Sequence, residues 1–321
     1  MSLLLLKDKI MNRCSTTCFY KLVLPLLLFF SFADSSAEKV DLVIYSYNRP
    51  LQLYALLESL ETYVEGMGQV SIICKAGNSE YKDAYKCVEQ DFEFADFFLQ
   101  DNCLNGEDFK PLVKYCAFDS PNKYVSFLVD DIIITDYIDL SYCVQMLKKT
   151  KAYGFYLRLG ENTTYSFMGK RETPVPPHTH VESDVYMWQF RDGIRHHWNY
   201  PNANDMVIYK KSDIQRDLLS LEFTNTYYEG HWHGKRDSNK YGLFFEHSKM
   251  VNISINLVIN EKNWGQFTPE WKEKMSKYSP EKLLEIFNQK LKIDIRPFYK
   301  INNRAPHIEQ EFSFVERLPR Y

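Results

Sequence analysis

Residues 127–135 read FLVDDIIIT. Seven of the nine are side chains that favour strands, and two adjacent carboxylates, Asp130 and Asp131, interrupt them. A carboxylate buried without a partner is costly, so it ends up paired, neutralised or on a metal. The flanking sequence decides whether this strand runs through a core or ends at a site. Upstream, VDLVIYSY (40–47) reads as a buried strand that runs into the polar turn Ser46, Tyr47, Asn48, Arg49, Pro50. Asn48 is a good N-cap residue and Pro50 suits the first turn of a helix. Leu53, Leu56, Leu57 and Leu60 then recur at helical spacing.

The pattern repeats outward from there. Strands are expected at 70–74, 95–99, 124–129 and 152–159, and helices at 78–92, 107–118 and 137–149. Such alternation predicts an α/β fold, a mostly parallel, Rossmann-like sheet flanked by helices. Ligands bind such sheets at the carboxyl ends of the strands. The aspartates therefore mark the point where a buried strand emerges, on the same rim as the turn at 46–50. The second half is less regular. Residues 160–184 read as a long loop containing Pro174, Pro176 and Pro177. Strands at 185–190, 206–210 and 251–259 and helices at 212–219, 229–239 and 280–289 follow. No internal repeat or low-complexity tract interrupts the chain.

With 321 residues, 45% hydrophobic and 25% charged, the chain has ordinary globular composition. A net charge of −3 with no lysine or arginine block argues against a nucleic-acid partner. The N-terminus carries a weakly basic lead-in, the apolar run LVLPLLLFFSFA (22–33), and the small residues Ser35 and Ala37. This is the pattern of a secretory signal peptide, expected to occupy residues 1–37. The run is shorter than the roughly 20 residues a spanning helix needs. An uncleaved short anchor, extending back past Lys21, would instead associate the chain with a membrane. Export or anchoring is expected over a cytosolic location. Seven cysteines lack CxxC spacing, which argues against a zinc ribbon. Asn162 and Asn252 each head a glycosylation sequon.

Several constellations carry chemistry. Paired carboxylates at a strand end can hold a divalent metal that bridges two phosphates; the alternative is a solvated turn. Of the eight histidines, His231 and His233 invite a zinc reading, yet no HExxH appears. Trp188, Trp198 and Trp232 suit either an acceptor cleft that stacks on sugar rings or plain core packing.

VIYSYNRPLQLYALLESL (43–60) resembles the opening strand and helix of family 2-like nucleotide-sugar glycosyltransferases, and YVSFLVDDIII (124–134) resembles the strand ending in their DxD-type motif. Over residues 40–317 the chain is similar to a GT-A-type glycosyltransferase. The resemblance implies a nucleotide-sugar donor, a glycan, lipid or protein acceptor, and a Mn²⁺ or Mg²⁺ ion. It implies that Asp131 ligates the metal, with Asp130 on the ribose or a metal-bound water and His307 completing the metal shell by position. Val129 stands where the full motif has its first acid. Ser46, Tyr47, Asn48 and Arg49 match the donor-lining turn, and Gly77 and Asn78 a base-contacting loop. Residues 38–159 would bind the donor, 160–292 the acceptor, and 293–321 form a tail. An inverting transfer needs a carboxylate base. Glu229, in FTNTYYEGHWH, is the first candidate and Asp205 the second. The competing readings are a carbohydrate-binding or degenerate transferase-like module, and a zinc hydrolase built on the histidines.

Overall fold

The computed structural model describes residues 37–320 apart from 168, 194–195, 257–272 and 274–275. The N-terminal leader reading lies outside these residues. Among the described residues no helix is long and apolar enough to cross a membrane.

Strand β1 (Val40–Tyr47) is an interior strand of the main sheet, third from one edge. It pairs in parallel with β2 (Met67–Lys75), which pairs in parallel with β3 (Ala95–Leu99). On its other side it pairs in parallel with β4 (Tyr124–Val129), in the register Val40 to Tyr124 through Tyr45 to Val129. Beyond β4 the sheet becomes mixed. β9 (Val207–Lys210) is antiparallel to β4 and to β6 (Gly154–Tyr156), and β10 (Tyr241–Phe245) runs parallel to β6. A hairpin of β7 (His178–Glu182) and β8 (Val185–Gln189) completes the sheet, whose order is β7-β8-β10-β6-β9-β4-β1-β2-β3. After Asp130 and Asp131 the chain enters a small second sheet. There β11 (Met250–Ile253) pairs antiparallel with β5 (Ile132–Ile134) and parallel with β12 (His307–Ile308).

The two-residue period of β1 divides the core into layers. Leu42 and Ile44 point into one cluster with α1 (Pro50–Tyr63), α2 (Ser79–Asp91), α4 (Leu140–Thr150) and α7 (Pro280–Asn288). Val43 and Tyr45 point into the other, with α3 (Phe109–Phe118), α5 (Lys211–Leu219) and α6 (Tyr228–His233). Burial on both faces explains why β1 is apolar on successive positions from Leu42 to Tyr45. Trp188, Trp198 and Trp232 are fully buried in the second cluster. Their indole faces pack edge-on against other aromatic rings, so the acceptor-cleft reading of these three gives way to core packing.

Elements before residue 152 fall within a few residues of expectation. Beyond it the differences have local causes. The expected strand over 152–159 is only three residues long, and residues 160–184 contain a small hairpin, Tyr165–Ser166 with Arg171–Glu172, and then β7. The helix expected from 229 to 239 stops at His233, where Gly234 follows. β11 ends at Ile253, and 257–259 of the expected strand lie outside the described residues. Cys74, Cys87, Cys103, Cys116 and Cys143 are free thiols.

Candidate active site

The carboxyl ends of β1, β2 and β4 build the first part of the site. Asp130 is buried and its backbone N–H donates to the Tyr45 carbonyl at 3.1 Å. Its Oδ2 accepts from Ser46 Oγ at 2.9 Å and from the Tyr47 N–H at 3.3 Å, and its Oδ1 from Arg49 Nη1 at 2.9 Å. Burial pushes this carboxyl up to about 6, with Arg49 opposing and the Asp131 charge reinforcing the rise. Both Asp130 oxygens are thus engaged inside the protein. Arg49 spans the site: the same Nη1 lies 3.6 Å from Asp131, and Nη2 donates to the Asn256 carbonyl at 2.6 Å. The opening carboxylate pair therefore splits, with Asp130 held inward and Asp131 at the rim.

Asn48 is not the cap of α1; Arg49 occupies that position, without a side-chain cap. Asn48 instead has a left-handed backbone, φ 54°, and its Oδ1 accepts the Gly77 N–H at 2.7 Å. A Cβ at Gly77 would come within 2.8 Å of the Asn48 amide, so a larger residue there would displace that side chain. Asn78 caps α2, accepting from the Tyr81 N–H at 3.1 Å. Tyr47 is partly exposed, with Lys75 Nζ 5.9 Å above its ring. Beside this loop, a hollow of about 540 Å³ is lined by Ala76, Asn78, Lys82, Leu99, Gln100 and Asp101 among others. The segment after β3 that supplies half of it was not singled out from the sequence. Its signal is the polar run Gln100, Asp101, Asn102 directly after a strand.

The second half converges on Asp131 from four separate segments. Asn252, on β11, stands opposite Ile132 on one side and His307 on the other. Its Nδ2 donates to Asp131 Oδ1 at 3.1 Å and lies 3.4 Å from Asp205 Oδ1. Arg158, just past β6, is 1% exposed and places Nη1 3.8 Å from Asp205 Oδ2. Glu229, in the first turn of α6, accepts the Asn204 N–H on Oε1 at 3.0 Å. Burial, and then the Asp205 charge, push the Glu229 carboxyl up to about 8; the Asn204 N–H and Arg158 oppose the rise. Both candidate bases therefore belong to one neighbourhood. Sequence reading passed over Arg158, Asn204 and Asn252. Arg158 is signalled by a lone cation in the apolar run GFYLRLG, whereas Asn252 is disguised by its sequon. Asn252 is in fact 1% exposed and holds Asp131, and the Asn162 amide is tied to the Asn303 carbonyl at 2.7 Å.

The histidines divide. His178 and His180 lie on β7, away from the aspartates in sheet order, while His233 stacks on Tyr200 at 4.0 Å. His307 stacks on His197 at 5.9 Å, and its Nδ1 is buried with no hydrogen-bond partner. Among the described residues no group of three or more His, Cys, Asp and Glu side chains is arranged to hold a metal ion. Asp131 and His307 flank Asn252 and offer a hard oxygen and an unsatisfied imidazole nitrogen. Two such donors are fewer than a divalent cation needs, so a cation held there would take its remaining ligands from elsewhere.

No family model matches the chain. A stretch of 191 residues, 54% of the chain, is 24% identical to the bifunctional glycosyltransferase pgtA of Dictyostelium discoideum. The chain spans 24% of that protein's length. Among solved structures, S. aureus TarS 1–349 in complex with UDP is 11% identical over 64% of this chain and 60% of its own, with a TM-score of 0.40. The mannosyltransferase PcManGT from Pyrobaculum calidifontis, in complex with GDP-Man and Mn²⁺, is 10% identical over 57% and 47%, with a TM-score of 0.33. The chain thus combines parallel strands that end at an aspartate pair with sequence similarity, over about half its length, to a glycosyltransferase.

Proposed function

We propose that the protein transfers a sugar from a nucleotide-sugar donor to a hydroxyl group on a glycan, lipid or protein acceptor, with inversion at the anomeric carbon. The observation that carries this reading is the convergence of Asp131, Asp205 and Glu229 through the amides of Asn252 and Asn204, at the carboxyl edge of the parallel strands. Asp131 and His307 would hold the divalent cation, which when bound neutralises charge on the departing diphosphate. The nucleoside would lie along the turn at Ser46–Asn48 and the hollow beside Asn78 and Asp101.

The chain's own groups account for the proton and the orientation. Glu229 Oε1 is fixed by the Asn204 N–H, which leaves Oε2 to take the proton of the acceptor hydroxyl. The acceptor oxygen bonds to the anomeric carbon as the bond from that carbon to the phosphate oxygen breaks. The electron pair leaves with the diphosphate. Asp205 lies between the Asn252 amide and Arg158, so its charge is partly compensated; this favours Glu229 as the base and Asp205 as a wall of the acceptor side.

The first test is calorimetric titration with UDP and with GDP, with and without Mn²⁺, on the wild type and Asp131→Ala. Metal-dependent binding of one nucleotide is expected, weakened about tenfold or more in the variant. If neither nucleotide binds and the folded protein takes up glycans instead, the binding-module reading replaces this one.

A further inference from the structure

Arg158 is a buried cation whose bonding is incomplete. Its Nη2 donates to the Tyr200 carbonyl at 2.7 Å and reaches the His197 carbonyl at 3.4 Å. Its Nε and Nη1 are buried without a hydrogen-bond partner, and its nearest carboxylate, Asp205, is 3.8 Å away. The guanidinium lies over two rings, 5.7 Å from Tyr156 and 6.0 Å from Tyr200. Burying a guanidinium is costly when a hydrophobic side chain would fill the same space. What this one does is hold a loop. The segment 197–205 runs from the carbonyls that Arg158 binds to the Asn204 N–H that fixes Glu229 and to Asp205 itself.

We propose that Arg158 is a positioning residue for the Glu229 carboxylate: it clamps the loop that carries Asn204 and Asp205, and supplies the positive charge against which Glu229 ionises. The inference deepens the proposed transfer and rests on Glu229 being its base. The charged groups facing Glu229 are Asp205, from the loop before β9, and Arg158, from the end of β6. The titratable groups around it are Tyr45 on β1, Tyr200 on the 197–205 loop, Tyr209 on β9 and Tyr228 on α6. Burial pushes all four phenols upward, so they stay neutral through the range in which Glu229 titrates. His233, at the far end of α6, is pushed down to about 4 and is neutral there as well. Among the described residues Arg158 is thus the cation that opposes the rise at Glu229.

The test needs no substrate. Infrared difference spectra of the full chain are recorded against pH, and the Glu229 carboxyl band is assigned by its loss in Glu229→Gln. In Arg158→Gln the midpoint of that band should rise, because the opposing charge is lost and the loop that carries Asn204 is released. Arg158→Lys should bring the midpoint most of the way back to the wild-type value, because it returns the charge without the planar fork. A midpoint that stays at the wild-type value in Arg158→Gln overturns the proposal. Should that variant fail to fold, Asp205→Asn is measured instead. Loss of that like charge should lower the midpoint, and adding Arg158→Gln to Asp205→Asn should raise it again; equal midpoints in the single and double variants would overturn the proposal. Titration with UDP and with GDP, each with Mn²⁺, runs alongside. A shifted midpoint without nucleotide binding keeps the Arg158–Glu229 linkage and removes the transferase reading; binding with an unmoved midpoint does the reverse.

Discussion

At the scale of single residues, Glu229 has the most measurable consequence. Its carboxyl is raised from 4.5 to about 8 in the folded chain. Between those two values the folded state holds a proton that the unfolded state has released, so stability falls as pH rises through that window. Glu229→Gln removes the titration. In urea unfolding at pH 5.5 and pH 8.5, the wild type should lose more stability on going to the higher pH than the variant does. Equal losses would show that Glu229 titrates normally. The same residue as a base predicts transfer activity that rises towards about pH 8 in the wild type. Arg49 and Asp130 form the other decisive pair, with side chains 9% and 4% exposed. Arg49→Ala would leave a buried carboxylate without its counter-ion and should cost about 3 kcal/mol or more, read as a lowered urea midpoint at pH 7. A cost below about 1 kcal/mol, the range of a surface pair, would mean that water replaces the guanidinium.

At the scale of elements, caps and glycines fix where strands and helices begin. Asn78 is the side-chain cap of α2, and Asn78→Ala should lower stability by about 1 kcal/mol, seen as a decrease in Tm. The two-residue and helical periods made β1, α1, β2, α2, β3 and α3 legible, because each buries its apolar residues locally in a regular pattern. β10 was not legible. Its YGLFF sequence is short and begins beside a glycine, which ordinarily weakens a strand. The structure supplies the reason for that glycine: a Cβ at Gly242 would meet the Trp188 ring at 2.4 Å. Asn48 illustrates the opposite error. A residue type that favours caps stands just before a helix, yet it adopts a left-handed backbone and ties two loops together. Nothing local distinguishes the two uses.

At the scale of the whole molecule, β4 connects the parallel half of the sheet to its mixed half. It ends where the chain passes into the second sheet, so Asp130 and Asp131 lie at the junction of both. That topology brings residues 158, 205, 229, 252 and 307 to one rim from five parts of the chain. By itself the sequence determined the α/β alternation, the burial of β1 on both faces, and the emergence of a strand at an aspartate pair. These are consequences of local periodicity and of the cost of burying charge, which any stretch of chain carries with it. Only the tertiary structure decided which aspartate turns inward, that Asn252 binds Asp131, and that Arg158 stands behind Asp205. Those contacts join segments up to 121 residues apart. Their distances depend on strand order and register, which no local pattern encodes.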